Sequence, residues 1–256
     1  MTRRHPEPIV YGHGPAYLLI IPGWFSDHRL FDELVGLLDP TRFTIARFDI
    51  RGYGWSHDIG GRYDLAEIAD DAIAVADELG WPHFSVIGHS MGGKVAQRLA
   101  IAYPERVRAV AAITPVPAVP LQLDDGAKAF FARAAADDEV AKAIVAQSVG
   151  SSLSAQRVGA IVDETRRTAR PEAFANYAKS FIEDDLSAGA DTLSVPLLIL
   201  FGAEDRGVDH IFLDPLYRAL YPAARIELLS GSGHYPMIDG PVVLAKRLHD
   251  FLGEVA

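Results

Sequence analysis

The chain contains no cysteine. It can therefore form no disulfide, use no thiol nucleophile and build no thiolate metal site. Its nine histidines are scattered and show none of the close spacings typical of zinc ligands. We accordingly expect no bound metal and no other cofactor. The lack of cysteine is compatible with the cytoplasm, where we expect the protein to reside.

The sequence also lacks an apolar run of membrane-spanning length and lacks an excess of basic residues. Lys and Arg number 24 against 34 Asp and Glu, which gives a formal net charge of −10. This charge argues against nucleic acid and anionic membranes as partners. A chain of 256 residues that is 49% hydrophobic is large enough for one domain with a sizeable core. We expect a monomer or homodimer that acts on a small molecule.

Short apolar runs alternate with segments of helical spacing over most of the chain. The runs that we predict as strands are 17–21, 43–48, 84–87, 107–113, 195–201 and 225–229. Nearly continuous apolar strands separated by helices indicate the α/β class, with a mostly parallel sheet that is covered by helices on both faces. In such sheets, binding sites form at the carboxyl ends of the strands.

The alternation stops between residues 116 and 194. Pro115, Pro117 and Pro120 form a stiff exit from the preceding strand, and three or four helical segments follow without a strand. These segments are either extra helices packed on the sheet or a helical cap inserted over the strand ends. We favour the cap, because both junctions fall where the candidate site loops lie. The predicted core is then 1–115 and 195–256, with the cap at 116–194.

A serine flanked by glycines lies where a predicted strand turns sharply into a predicted helix. Residues 88–92 read Gly-His-Ser-Met-Gly, with Ser90 at the apex. Glycines on both sides remove the Cβ atoms that would block so tight a turn. The turn holds the hydroxyl in the open, where a base can activate it. The stretch also resembles a phosphate-binding loop, but Val95 stands where a Mg²⁺-binding Ser or Thr is needed.

A serine nucleophile needs a base, and the base needs an acid that orients it. His234 is the strongest candidate base, because it follows a glycine-rich loop after the last predicted strand. Asp205 lies just beyond the strand at 195–201 and is the candidate acid. Glu204 and Asp209 are nearby alternatives. The sequence therefore predicts the triad in the chain order Ser90, Asp205 and His234.

This order and its surrounding motifs resemble the α/β-hydrolase fold superfamily. The glycine-rich turn at 88–93 is similar to the nucleophile elbow of that family, and Gly202-x-x-Asp205 and Gly233-His234 are similar to its acid and base loops. Residues 49–56 are similar to its Asp-x-Arg-Gly-x-Gly-x-Ser loop. Pro22 departs from the pattern, since the family usually has a histidine before the glycine of its oxyanion loop. The resemblance covers nearly the whole chain.

The resemblance implies a serine carboxylesterase or lactonase for small to medium apolar substrates, with an acyl-enzyme on Ser90. It also implies an oxyanion hole made by the main-chain N–H groups of Trp24 and Met91. The indole of Trp24 either lines the pocket or packs in the core. The candidate pocket residues are Phe25, Phe130, Tyr177, Phe181 and Tyr235. Packing within the cap explains its aromatic residues equally well.

Other functions use the same residues or the same fold. Perhydrolases, carbon–carbon bond hydrolases and cofactor-free dioxygenases share the triad, and residues 22–29 faintly resemble the last group. Serine at the elbow argues against haloalkane dehalogenases and epoxide hydrolases, which have aspartate there. A non-catalytic ligand receptor is the alternative from another class, because a fold alone does not determine function.

Overall fold

The computed structural model describes residues 4–255, which form a seven-stranded sheet. The strands are β1 (Ile9–Gly12), β2 (Ala16–Ile21), β3 (Phe43–Arg47), β4 (Phe84–His89), β5 (Val107–Ile113), β6 (Leu197–Gly202) and β7 (Arg225–Leu229). They lie in the order β1-β3-β2-β4-β5-β6-β7. Of these strands, β1 runs antiparallel to β3 and the other pairs are parallel. The predicted α/β class and mostly parallel sheet are confirmed.

The described residues also form ten α-helices. They are α1 (Asp32–Leu37), α2 (Leu65–Glu78), α3 (Met91–Ala102), α4 (Asp125–Arg133), α5 (Asp138–Val149), α6 (Ala155–Thr168), α7 (Pro171–Glu183), α8 (His210–Leu220), α9 (Pro236–Asp239) and α10 (Pro241–Val255). Side-chain caps begin several of them: the carboxylate of Asp64 accepts the N–H of Glu67 at 2.7 Å at the start of α2. None of these helices is both long and apolar enough to cross a bilayer.

The centre of the sheet is covered on both faces. Every residue of β4 and of β6 is buried, which requires packing above and below the strands. Helix α3 packs against β4 and β5, α10 also contacts β5, and α1 packs on α10. The predicted strand at 195–201 begins later, at Leu197, because Pro196 has no N–H to donate to the sheet.

Helices α4 to α7 all lie between β5 and β6, and the described residues of this segment contain no strand. The two chain segments that join it to the core, 116–121 and 181–186, form a neck in which they bond to each other. The N–H of Leu121 donates to the carbonyl of Ile182 at 2.8 Å, and the N–H of Leu186 donates to the carbonyl of Ala118 at 2.8 Å. The helical insertion and the core therefore meet along a bonded pair of segments.

Two side chains of α3 fasten this neck from below. The ammonium of Lys94, which is fully buried, donates to the carbonyls of Val119 at 3.0 Å and Phe181 at 3.1 Å. The amide of Gln97 donates to the carbonyl of Val116 at 2.9 Å. Burial lowers the pKa of Lys94 to about 8. The helix that follows the glycine-rich turn thus holds both ends of the insertion.

Candidate active site

The candidate nucleophile occupies a strained turn between β4 and α3. Ser90 has φ 54° and ψ −117°, a conformation that non-glycine residues rarely adopt. Its main chain is fixed on both sides: its N–H donates to the carbonyl of Ile113 at 2.9 Å, and its carbonyl accepts the N–H of Val116 at 3.0 Å. Ser90 also stands at the N-terminus of α3, where the helix dipole favours negative charge.

The glycines of this turn are required by close contacts. A Cβ atom on Gly88 would lie 2.3 Å from the carbonyl oxygen of Gly92. A Cβ atom on Gly92 would lie 2.4 Å from the carbonyl oxygen of Ile21, at the end of β2. Both distances are well below van der Waals contact, so a larger residue would displace the main chain. The motif therefore packs the start of α3 directly against the end of the neighbouring strand.

The candidate acid and base are bonded to each other. Nδ1 of His234 lies 2.6 Å from Oδ2 of Asp205, and both residues are buried. The other carboxylate oxygen accepts the N–H groups of Gly207 at 2.8 Å and Val208 at 2.9 Å. An ionised carboxylate is an acceptor, so Nδ1 carries the proton and Nε2 is left with a free lone pair. This is the tautomer that a general base needs.

The two alternative acids have other partners. Glu204 accepts a hydrogen bond from the hydroxyl of Ser151 at 3.3 Å at the surface. The carboxylate of Asp209 accepts the N–H of Ile211 at 2.9 Å and thereby caps α8. Among the three acids that the sequence placed near this loop, Asp205 is the one that contacts His234.

The main chain of His234 is held from three directions. Its N–H donates to the carbonyl of Ser148 in α5 at 3.1 Å. Its carbonyl accepts hydrogen bonds from Nε2 of His89 at 2.8 Å and from the hydroxyl of Thr114 at 3.0 Å. Nδ1 of His89 is buried without a partner among the described residues, and burial lowers the pKa of this ring to about 3. His89 is therefore a neutral support for His234, a role that sequence reasoning missed.

Ser90 and His234 line the same cavity. Within residues 4–255 no hydrogen bond joins the Ser90 hydroxyl to the His234 ring, whereas the bond between His234 and Asp205 is fully formed. Contacts between a nucleophile and its base are often loose when no substrate is bound. The structure thus brings two of the three predicted triad residues into contact and places the third at the same cavity wall.

The loop after β2 lies against the candidate nucleophile. A Cβ atom on Gly23 would lie 3.1 Å from the Cβ of Ser90 and 2.8 Å from Nδ1 of His89. The N–H of Gly23 donates to the hydroxyl oxygen of Ser26 at 2.9 Å. In the part of the chain that the structure describes, the main-chain N–H groups of Trp24 and Met91 have no acceptor. Neither N–H group is therefore committed to a partner in the described protein, and of these two residues Trp24 lines the cavity while Met91 does not.

A cavity of about 1030 Å³ covers Ser90 and His234. Its walls come from the core and from the insertion, and four of the aromatic residues that the sequence assigned to a pocket line it: Phe25, Phe130, Phe181 and Tyr235. Trp24 lines the cavity as well, and its indole N–H donates to the carbonyl of Phe174 at 2.8 Å. This residue is thus both a wall of the cavity and a tie between the core and α7.

Tyr177 requires a correction, because it is not among the residues that line the cavity. Its ring is fully buried and packs edge-on against Tyr53 and Tyr63, with centroid distances of 5.8 and 6.0 Å. Its hydroxyl donates to the carbonyl of Arg51 at 3.1 Å. Tyr177 therefore anchors α7 to the loop after β3, and burial raises its pKa well above the usual value of a phenol.

Among the residues that the structure describes, Asp27, His28 and Asp49 are buried away from the candidate triad and have metal-ligand atoms close together. These atoms already have protein partners. Nδ1 of His28 lies 2.8 Å from Oδ2 of Asp49, and Asp27 accepts the Nε–H of Arg29 at 3.1 Å. The group joins two loops of the core, and protein donors satisfy it without an ion.

Comparison with known proteins gives consistent results. The model of the alpha/beta hydrolase fold family matches residues 17–241. The pimeloyl-[acyl-carrier protein] methyl ester esterase of Edwardsiella ictaluri is 28% identical over 256 residues, which cover 94% of each chain.

Solved structures show the same architecture. A bromoperoxidase from Bacillus anthracis superposes with a TM-score of 0.86 at 20% identity, over 96% of this chain and 94% of its own. An esterase from Exiguobacterium antarcticum has a TM-score of 0.86 at 19% identity, over 97% and 95% of the two chains. The family match covers most of the chain and confirms the resemblance. The chain belongs to the alpha/beta hydrolase fold family.

Proposed function

We propose that the protein hydrolyses carboxylic esters or lactones through an acyl-enzyme on Ser90, with His234 as general base and Asp205 as its orienting acid. The observation that carries the proposal is the 2.6 Å bond between His234 and Asp205 at the wall of the cavity that also exposes Ser90. The strained turn of Ser90 presents its hydroxyl to that cavity instead of burying it in the helix.

The reaction begins when Nε2 of His234 takes the proton of the Ser90 hydroxyl, whose oxygen attacks the ester carbonyl. Asp205 stabilises the imidazolium that forms and stays ionised. The oxyanion accepts the free N–H groups of Trp24 and Met91, and a donor of this kind lowers the barrier by about 3–4 kcal/mol. The imidazolium then gives its proton to the leaving alcohol. A water that is activated by His234 cleaves the acyl-enzyme and regenerates Ser90.

We also propose that the helical insertion, residues 116–194, acts as a cap over this site. Its helices supply Phe130 and Phe181 to the cavity wall, and the carbonyl of Ser148 holds the main chain of His234. An ester bound beneath the insertion is shielded from bulk water, which strengthens the electrostatic interactions at the reacting carbonyl.

The direct test uses p-nitrophenyl acetate and butyrate with the purified protein and its Ser90→Ala variant. We expect turnover by the wild type, with a burst of p-nitrophenol where deacylation is slow, and no turnover above background by the variant. Retained hydrolysis in Ser90→Ala would exclude the acyl-enzyme. A parallel assay with simple lactones extends the test to the second substrate class.

A covalent probe separates an enzyme from a receptor of the same fold. A fluorophosphonate reacts with a serine that a neighbouring base activates, and mass spectrometry locates the adduct. We expect a single adduct on Ser90, absent from the Ser90→Ala and His234→Ala variants. A folded wild-type protein that forms no adduct would favour a non-catalytic binding protein.

A further inference from the structure

Helix α8 presents an apolar face that the protein itself leaves uncovered. Tyr217 is the one fully buried residue among the described positions of this helix, and its hydroxyl donates to the carbonyl of Pro115 at 2.8 Å. Phe212 is 76% exposed and Ile211 is 61% exposed. Apolar residues scattered singly on a surface need no explanation, but these belong to one helix beside a cavity.

This face continues the wall of the candidate active site. Phe212, Leu213 and Leu216 all line the cavity that contains Ser90 and His234. Residues 212 and 216 are four apart and so lie on the same side of the helix. Since Phe212 is both largely exposed and part of the cavity wall, it lies where the cavity opens to solvent. A ligand that extends out of the cavity would cover it.

The parts of the cavity wall that come from the insertion and its entry are also apolar. They are formed by Leu121 and Leu123 of the chain that enters the insertion, and by Phe130 and Ile144 of its helices. The charged residues that line the cavity outside the candidate triad are Arg206 and Asp209. They form an ion pair in which Nη1 of Arg206 lies 3.8 Å from Oδ2 of Asp209. An anionic substrate would therefore find no unpaired cation in the described lining.

We propose that the apolar face of α8 binds the hydrocarbon chain of the substrate, so that the protein prefers esters with a long, uncharged chain. The proposal rests on the proposed function and narrows its substrates to esters with a long hydrocarbon chain, whereas the sequence predicted small to medium ones. Its occupant is a hydrocarbon chain, because the face is continuous with the cavity over Ser90 and its one lining cation is paired. A chain that covers Phe212 removes apolar surface from water, which favours binding.

The first experiment compares p-nitrophenyl acetate, butyrate and octanoate below their solubility limits. We expect kcat/KM of the wild type to rise at least about tenfold from acetate to octanoate. Phe212→Ser removes an exposed ring and should lower kcat/KM for octanoate about fivefold more than kcat/KM for acetate. Val242→Ser is the matched control, because Val242 is 67% exposed on α10 and does not line the cavity. Equal rates for all chain lengths, or an equal loss on every ester in Phe212→Ser, would overturn the proposal.

A substrate whose chain ends in a negative charge tests the same contact with Phe212. The probe is the mono-p-nitrophenyl ester of suberic acid, which matches octanoate in length but ends in a carboxylate. We expect the wild type to cleave it at least about tenfold more slowly than octanoate, because the chain end meets an apolar surface. Phe212→Lys should narrow this ratio several-fold. An unchanged ratio would place the chain elsewhere.

A binding measurement keeps the inference separate from the proposed function. The uncharged fluorescent probe N-phenyl-1-naphthylamine is titrated into Ser90→Ala and into Ser90→Ala with Phe212→Ser. We expect weaker binding by the second variant by about threefold or more. If the wild type cleaves no ester but the two variants differ in their affinity for the probe, the hydrolase assignment fails and the hydrocarbon site stands. Equal binding by both variants overturns the site.

The alternative occupant of this face is a second copy of the chain, and size-exclusion chromatography tests for it. We expect Phe212→Ser to elute at the same volume as the wild type. A wild-type dimer that becomes a monomer in Phe212→Ser, with an unchanged chain-length profile, would show that α8 forms an interface between copies and would overturn the proposal.

Discussion

His89 donates the Nε2–H of its ring to the main-chain carbonyl of His234 at 2.8 Å. The residue that precedes the candidate nucleophile in the chain thus holds the loop of the candidate base, although 145 positions separate the two histidines. Because burial keeps the ring neutral, this support does not change when His234 gains a proton. The turn that carries the candidate nucleophile therefore also helps to fix the position of the candidate base.

Replacing His89 with Phe tests this relationship. The variant leaves the carbonyl of His234 with the hydroxyl of Thr114 as its remaining partner. We expect kcat for p-nitrophenyl acetate to fall about tenfold, since a lost hydrogen bond of about 1 kcal/mol or more misplaces the base. Fluorophosphonate labelling of Ser90 should slow in parallel. An unchanged labelling rate would show that His89 only fills space.

The same variant makes a prediction about acid stability. The pKa of His89 is lowered to about 3 in the folded protein, below the value of about 6.5 in an unfolded chain. Between these pH values the unfolded state binds a proton that the folded state excludes, so acidification favours unfolding. Urea unfolding from pH 7 to pH 4 should therefore show a steeper loss of stability in the wild type than in His89→Phe. Parallel pH profiles would contradict the shift.

Lys94 predicts a pH dependence in the alkaline range. Its pKa is about 8 in the folded protein, below its usual 10.5, so the unfolded state binds more protons between these values. The free energy of unfolding of the wild type should therefore rise relative to that of Lys94→Met as the pH increases from 8 to 10.5. Urea titrations at several pH values measure the difference, and Lys128→Met on α4 is the control. A constant difference would show that Lys94 titrates normally.

Asp205→Asn should abolish most of the activity while it preserves the fold. An amide at this position can stabilise the wrong tautomer of His234 and cannot stabilise its imidazolium, so we expect kcat to fall on the order of ten-thousandfold. Glu204→Gln is the matched control. The carboxylate of Glu204 is next to Asp205 in the chain, but it accepts a hydrogen bond from the Ser151 hydroxyl at the surface. We expect that variant to keep wild-type activity within about twofold. A comparable loss in both variants would contradict the assignment of the acid.

Gly23→Ala tests the loop that carries the Trp24 N–H. The added methyl would meet Nδ1 of His89 at 2.8 Å and the Cβ of Ser90 at 3.1 Å, so the loop must move away. We expect kcat to fall about a hundredfold, as for the loss of one oxyanion donor, with a smaller change in KM. Gly36→Ala is the control, because nothing lies within 4 Å of a Cβ atom at that position. Wild-type kcat in Gly23→Ala would separate this loop from the oxyanion hole.

The central strands β4, β5 and β6 could be predicted from the sequence because they are buried and read as nearly continuous apolar runs. β5 and β7 match the predicted ranges, and the turn at Ser90 is specified by its own glycines. Helix α8 was not predicted. Its apolar residues are interrupted by Pro215, a residue that is typical of a break in a helix.

The errors within the candidate site come from contacts that no local pattern reveals. Tyr177 and Phe181 are four apart on α7 and were expected to share the pocket. Phe181 does line the cavity, but the carbonyl of Arg51 draws the Tyr177 hydroxyl into the core. His89 was not among the candidate site residues, yet the turn directs its ring towards the loop of His234. Both side chains are positioned by partners that are distant in sequence.

The neck of the insertion bears on whether the insertion could be replaced by another segment. Lys94 and Gln97 belong to the core, and at the neck they bond main-chain carbonyls, which any sequence provides. A foreign segment that follows the same path at Val119 and Phe181 would therefore keep the attachment at the neck. Such a chimaera would still lose the bonds that Ser148, Phe174 and Tyr177 make with the core, so it would need a new acceptor for the N–H of His234.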